Sequence, residues 1–184
     1  MPEIKPRCRF LDEVWETALV LLGRQERLHC PVTRPRLFRM ILLWVVIETG
    51  FNLWLSYDEA PIRASYPILE VVIIFLLLRE FSDLYNTQEQ LRETFLLVST
   101  GFAVIWSITS LPLLAFGSSG NALMASIIEL VSLVAMVYVL GIGFLRAMSG
   151  ASPNILIFLL AYLVIEGVAS FERWLTTNWS ILVY

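Results

Sequence analysis

The chain has 184 residues, of which 58% are hydrophobic and 16% charged, and its mean hydropathy is +0.74. So apolar a composition excludes an ordinary soluble domain. The formal charge of −3 says little about partners, because many acidic groups lie within or beside apolar stretches.

The first 36 residues form a charged segment of their own. Within it Phe10, Leu11, Val14, Trp15, Ala18, Leu19 and Leu22 recur at helical spacing, with Asp12, Glu13, Glu16 and Arg24 on the other face. That pattern predicts an amphipathic helix ending near Gly23. Cys30-Pro31 and Arg34-Pro35 then break the chain. The helix could lie in the headgroup region, or dock a partner through Phe10, Trp15 and Leu19. Arg34, Arg36 and Arg39 suit lipid phosphates, and serve equally well as topology anchors. His29 beside Cys30 has no second ligand pair nearby, so no metal site is expected.

Five apolar stretches follow, at about 37–57, 64–78, 94–116, 121–145 and 153–171. A spanning helix needs roughly 20 mostly apolar residues. The second stretch is short, and needs Pro61–Arg63 or Arg79–Phe81 as interfacial flanks. The polar loop Arg79–Glu93 is expected to carry a helix capped near Thr87 that runs into the third span. Gly117–Gly120 allows only a tight reversal, which makes spans three and four antiparallel neighbours. Ser99, Ala103 and Ser107 form a small-residue ridge for close helix approach, and Pro112 is expected to kink the far end of that span. Gly141 and Gly143 mark the inner half of span four. Trp174, Trp179 and Tyr184 suit an interfacial tail at 172–184. The expected architecture is an all-α polytopic bundle: a cytoplasmic segment at 1–36, a five-span domain at 37–171 and that external tail.

Basic residues orient it. Eight Lys or Arg precede or open span one, and Arg79, Arg92 and Arg146 fall on the same side. Only Arg63 and Arg173 fall on the other. Eleven against two places the N-terminus in the cytoplasm and the C-terminus outside, as in a bacterial inner membrane. No cleavable signal peptide is evident. Cys8 and Cys30 would then face a reducing compartment, where a structural disulfide is not expected.

Glu48, Glu70, Glu129 and Glu166 sit inside four different spans. Ionisable groups at such depth are costly and mark function by default. At 1.5 Å per residue all four lie roughly 8–13 Å below the outer boundary. They could form one acidic pocket for protons, a cation or a cationic substrate. They could instead be protonated hydrogen-bonding groups between helices or subunits, or snorkel singly to water. No intramembrane Lys or Arg is available as a counter-charge. Asn52, Ser132, Tyr138 and Tyr162 are the available hydrogen-bond partners.

Catalytic signatures are missing: no phosphate loop, no HExxH and, with His29 the only histidine, no Ser–His–Asp set. No basic aromatic surface suggests nucleic acid. The stretch from Tyr85-Asn86-Thr87-Gln88-Glu89-Gln90-Leu91-Arg92-Glu93-Thr94-Phe95 into Ser110-Leu111-Pro112-Leu113-Leu114 resembles the third span of Yip-family proteins, the Ypt/Rab-interacting membrane proteins and their bacterial relatives. Val139-Leu140-Gly141-Ile142-Gly143-Phe144-Leu145-Arg146 is similar to that family's passage from span four to span five. Here Tyr85-Asn86-Thr87 replaces the family's glycine-rich approach. The resemblance implies five spans, a cytoplasmic N-terminus and a non-enzymatic protein without cofactor. Two functions follow: a scaffold or accessory subunit binding lipids and other membrane proteins or its own copies, or a small proton- or cation-coupled transporter or channel subunit using the glutamates.

Overall fold

The computed structural model describes residues 10–25, 28–55, 66–118, 120–148 and 154–183. Lys5, Arg7, Cys8, Arg9, Arg27, Pro61–Arg63, Pro153 and Tyr184, all used in the sequence reading, lie outside the described residues. The described helices are α1 (Phe10–Leu21), α2 (Arg34–Leu55), α3 (Tyr66–Leu84), α4 (Leu91–Ser118), α5 (Ala122–Ala147) and α6 (Ile155–Val183). Among the described residues four segments are long and apolar enough to cross a membrane: Arg34–Trp54, Gln88–Phe116, Ala122–Ala147 and Ile155–Leu175. The protein is therefore an all-α integral membrane protein. The second expected span does not reach that composition, because α3, at 19 residues, carries Glu70, Arg79, Glu80 and Asp83.

Local chemistry sets the helix ends. Thr33 Oγ1 accepts from the Arg36 N–H at 3.4 Å, and Pro35 occupies the opening turn of α2, where its missing N–H costs nothing. Helix α3 closes on Asn86, whose φ of 56° is left-handed, with the Thr87 N–H bonded back to the Ser82 carbonyl at 2.8 Å. That is a Schellman-type stop with Asn in the place of Gly. Thr87 was expected to cap a helix, yet its side chain makes no cap bond, and a short 3-10 turn, Gln88–Gln90, precedes α4. Its hydroxyl donates instead to the Ala147 carbonyl at the end of α5. Gly120, at φ +73°, turns the chain into α5, which Asn121 caps by accepting from the Met124 N–H. Asn154 Oδ1 accepts from the Leu156 N–H at the start of α6.

Helix α4 is the centre of the bundle and touches α1, α2, α3 and α5. Lipid is as apolar as a leucine side chain, so burial alone gains little here; close packing and internal hydrogen bonds decide. A Cβ on Gly101 would meet Val139 Cγ1 at 2.6 Å, and one on Gly143 would meet Val98 Cγ2 at 2.6 Å. Glycine is thus what lets α4 and α5 approach. The expected ridge plays a different part. Ser99 and Ser107 return their hydroxyls to the carbonyls of Phe95 and Ala103, and Ser107 is exposed. Helix α3 packs Ile74 and Leu78 fully inside, with Phe75 against Phe95 and Phe81 against Phe144 at ring separations of 5.0 and 5.1 Å. Its first residue, Tyr66, donates to the Glu172 carbonyl of α6 at 2.8 Å.

Two expectations are corrected by this architecture. Helix α6 runs on to Val183, so residues 172–183 continue the helix and form no separate tail. Cys30 is disulfide-bonded, and the only other cysteine in the chain is Cys8. The compartment rule speaks to whether a disulfide persists, and not to whether a loop folds its cysteine toward another. Here the Glu16 carboxylate accepts from the Cys30 N–H at 3.1 and 3.2 Å and holds that loop against α1.

Candidate functional site: an acidic cavity between α2, α3 and α6

Glu48 lies mid-way along α2, and Trp44, one turn earlier, donates its indole N–H to Glu48 Oε2 at 2.7 Å. Trp44 is itself fully buried against Phe102, with ring centroids 4.8 Å apart. The carboxylate is therefore held in one orientation by a side chain that cannot move. Glu70, one turn into α3, meets it: the two carboxyls are hydrogen-bonded to each other. Both are buried, at 5% and 8% exposure. Two carboxylates cannot hydrogen-bond without a proton, since an ionised carboxylate only accepts.

The pair lines a cavity of about 690 Å³, together with Asn52, Tyr66, Glu172 and Arg173 on its polar side and Trp106, Met136, Ile165 and Val168 on its apolar side. Glu172 brings a third carboxyl to the rim. Arg173 reaches toward Glu166 at 3.8 Å and donates to Ser170 Oγ at 3.1 Å. Both of these contacts lie along α6. Among the described residues the cavity wall has an acidic excess, beside a tryptophan and a tyrosine, which suits a proton or a cation.

Of the four glutamates expected to converge, Glu48 and Glu70 do so. Glu166 is half-buried, paired with Arg173, and lines no part of the cavity. Glu129 is exposed on α5 and is not in the cavity wall. Counting residues gives depth along a helix, but the rotation of the helix decides which way a side chain points, and the α5 face carrying Glu129 turns outward. Glu172 and Arg173 were placed outside the last span by the sequence reading. The available signal was the lack of any Gly or Pro after Gly167, which leaves α6 free to continue. Among the expected polar partners, Asn52 lines the cavity, while Ser132 bonds its own helix at the Ile128 carbonyl and Tyr138 donates to the Leu21 carbonyl.

The arginines expected at lipid phosphates are divided. Arg34 is exposed. Arg36 is 4% exposed, with its Nε 3.6 Å from Glu13 Oε2 and its Nη1 donating to the Cys30 carbonyl at 2.8 Å. Arg39 is bonded to the same Glu13 carboxylate. Arg36 is thus enclosed in a charge cluster with α1, and Arg39 joins that cluster with its side chain half exposed. Of the expected docking residues, Phe10 and Trp15 are exposed, and Leu19 is half-buried. Among the described residues no three His, Cys, Asp or Glu side chains converge as a metal-ligand set. No protein-family model, characterised relative or solved structure matches this chain.

Proposed function

We propose that this protein is a five-span membrane protein that binds and exchanges a proton or a small cation in the acidic cavity, as a transporter or channel subunit. The observation that carries the reading is the hydrogen-bonded Glu48–Glu70 pair on the wall of a cavity of about 690 Å³. A carboxyl pair that holds one proton can release it when a cation enters, so the same two groups serve either ion. In this reading α3 is the fifth span, with its charges Arg79, Glu80 and Asp83 at one end and only Glu70 inside. The resemblance to the Yip family supports that layout. The scaffold reading has less behind it, because the exposed apolar faces of such a protein are what lipid requires.

The test is reconstitution into liposomes loaded with a pH-sensitive dye, with a potassium gradient and ionophore to drive protons. The unmodified protein should acidify or alkalinise the lumen. Glu48→Gln and Glu70→Gln should not, while Glu129→Gln and Glu166→Gln should keep the flux. No flux from the unmodified protein, or equal flux from all four variants, would leave the scaffold reading standing. Orientation needs its own test. The basic residues argue for a cytoplasmic N-terminus, and the disulfide at Cys30 argues for an oxidising one. A reporter in the loop at 85–90 and one after Tyr184 should report cytoplasmic and external locations respectively; the reverse pattern would invert the topology.

A further inference from the structure

Helix α1 is turned inside out for a soluble surface helix. It buries Glu13, Thr17 and Val20 and exposes Leu11 and Trp15, at 75% and 67%, and Leu22 just past its end is 66% exposed. Two of its acids are held within the fold, Glu13 by Arg36 and the half-exposed Arg39, and Glu16 by the Cys30 N–H, while Asp12 is exposed. Its outward apolar side is left uncovered by the described residues. The height at which α1 crosses the bundle decides what covers that side. It lies over Thr100, Gly101, Ala103 and Val104 of α4, Met40 and Leu43 of α2, and Ala135, Tyr138 and Val139 of α5. The candidate span that contains the 3-10 turn and most of α4 runs from Gln88 to Phe116. Position 102 is therefore its midpoint, about 21 Å from either end at 1.5 Å per residue. The crossing falls inside a hydrocarbon core about 30 Å thick.

We infer that α1 is a lateral helix embedded in the bilayer, with the face Leu11–Trp15–Leu22 covered by lipid acyl chains. The neighbouring surface is continuous with it: Leu42 and Val46 of α2, Ile108 and Leu111 of α4, and Val131 and Val134 of α5 are exposed as well. A groove of about 280 Å³ between α1 and the α4–α5 pair is lined almost wholly by apolar side chains, among them Val14, Ala18, Ile105 and Ala135. That groove suits a chain end and offers water almost nothing to bond. The burial of Glu13 against two arginines then has a reason: at this depth its carboxylate could not face outward.

The test uses the full chain with its disulfide left oxidised, so that only an added cysteine takes a label. An environment-sensitive fluorophore is attached at Leu11→Cys and, separately, at Leu22→Cys, in phosphatidylcholine vesicles with or without mid-chain bromine. Leu22 lies beyond the end of α1, so its replacement leaves the helix intact. Both probes should emit to the blue and lose emission in brominated lipid as a probe at Val131 does, and the same two cysteine variants left unlabelled should resist a membrane-impermeant maleimide. A probe at Asn86 should show the opposite. Reaction with the impermeant maleimide and insensitivity to bromine would overturn the inference in favour of water. Shielding from both bromine and maleimide would overturn it in favour of a protein, a second copy of this chain or another.

Discussion

Two buried acidic clusters invite comparison, one around Glu13 and one around Glu48. In the first, Glu13 of α1 meets Arg36 and Arg39 of α2, and Glu16 accepts from the loop at Cys30. Cations match the carboxylates there. In the second, Glu48, Glu70 and Glu172 surround open space, and the arginine in the cavity wall is drawn toward Glu166. Both clusters bury their glutamates against helices, although Glu13 comes from a charged segment and Glu48 from an apolar run. The first is closed by its own counter-charges, which is what structure requires. In the second, the Glu48–Glu70 pair is held in shape by Trp44 and among the described residues has no ion pair of its own, which is what a binding site requires. Burial of an acid is therefore not the mark of function; burial without a fixed counter-charge beside a cavity is.

The comparison can be broken by mutation. Glu13→Ala should cost the most stability, about 3–5 kcal/mol, because it leaves the Arg36 guanidinium buried and unmatched. Thermal unfolding in mild detergent reads this, and replacing Glu13 and Arg36 together by apolar residues should recover much of the loss. If Glu13→Ala is silent, the first cluster is not a matched one. Glu48→Gln or Glu70→Gln should instead cost about 2–5 kcal/mol of affinity for a bound cation, read by titration with a fluorescent organic cation. Their stability should change by no more than about 1 kcal/mol, since an amide can take the place of the hydrogen-bonded partner. A Gln variant that unfolds while keeping its affinity would make the second cluster structural like the first.

Smaller effects test the scaffold on which both clusters hang. Gly143→Ala drives a methyl into Val98 and should destabilise by about 1–3 kcal/mol through overpacking, with α4 pushed from α5. An unchanged midpoint would mean that the helices have room to relax. Thr87→Val removes the bond to the Ala147 carbonyl and should cost about 0.5–1.5 kcal/mol. That loss should leave cation affinity untouched, because the bond lies at the end of the bundle away from the cavity.

Much of the fold was legible along the chain. The runs that become α2, α4, α5 and α6 are visible as length and composition, and Gly117–Gly120 as a reversal. Three features were not. Thr87 reads as a cap, because cap chemistry is local, but a carbonyl from a distant helix claimed its hydroxyl. Ser99, Ala103 and Ser107 read as the close-approach ridge, yet Gly101 and Gly143 fill that role, because the contact face depends on how α4 is rotated against α5. The polar side of α1 reads only as one face of an amphipathic helix, but the partners of Glu13, Arg36 and Arg39, come from the next helix.

The sequence by itself determined that this chain crosses a membrane, because hydropathy is a local sum and the bilayer thickness sets the length it must reach. It also determined that acids stand inside the apolar runs, since their positions along the chain are read directly. Only the tertiary structure decided which acids meet. Glu48 and Glu70 come from helices whose relative rotation is set by packing around α4, while Glu129, at a similar height, turns away. Glu172 entered the cavity wall because nothing stopped α6, and Glu13 left the surface because α1 found two arginines beneath it. Azimuth and partner are properties of contacts between helices, and no single stretch of chain carries them.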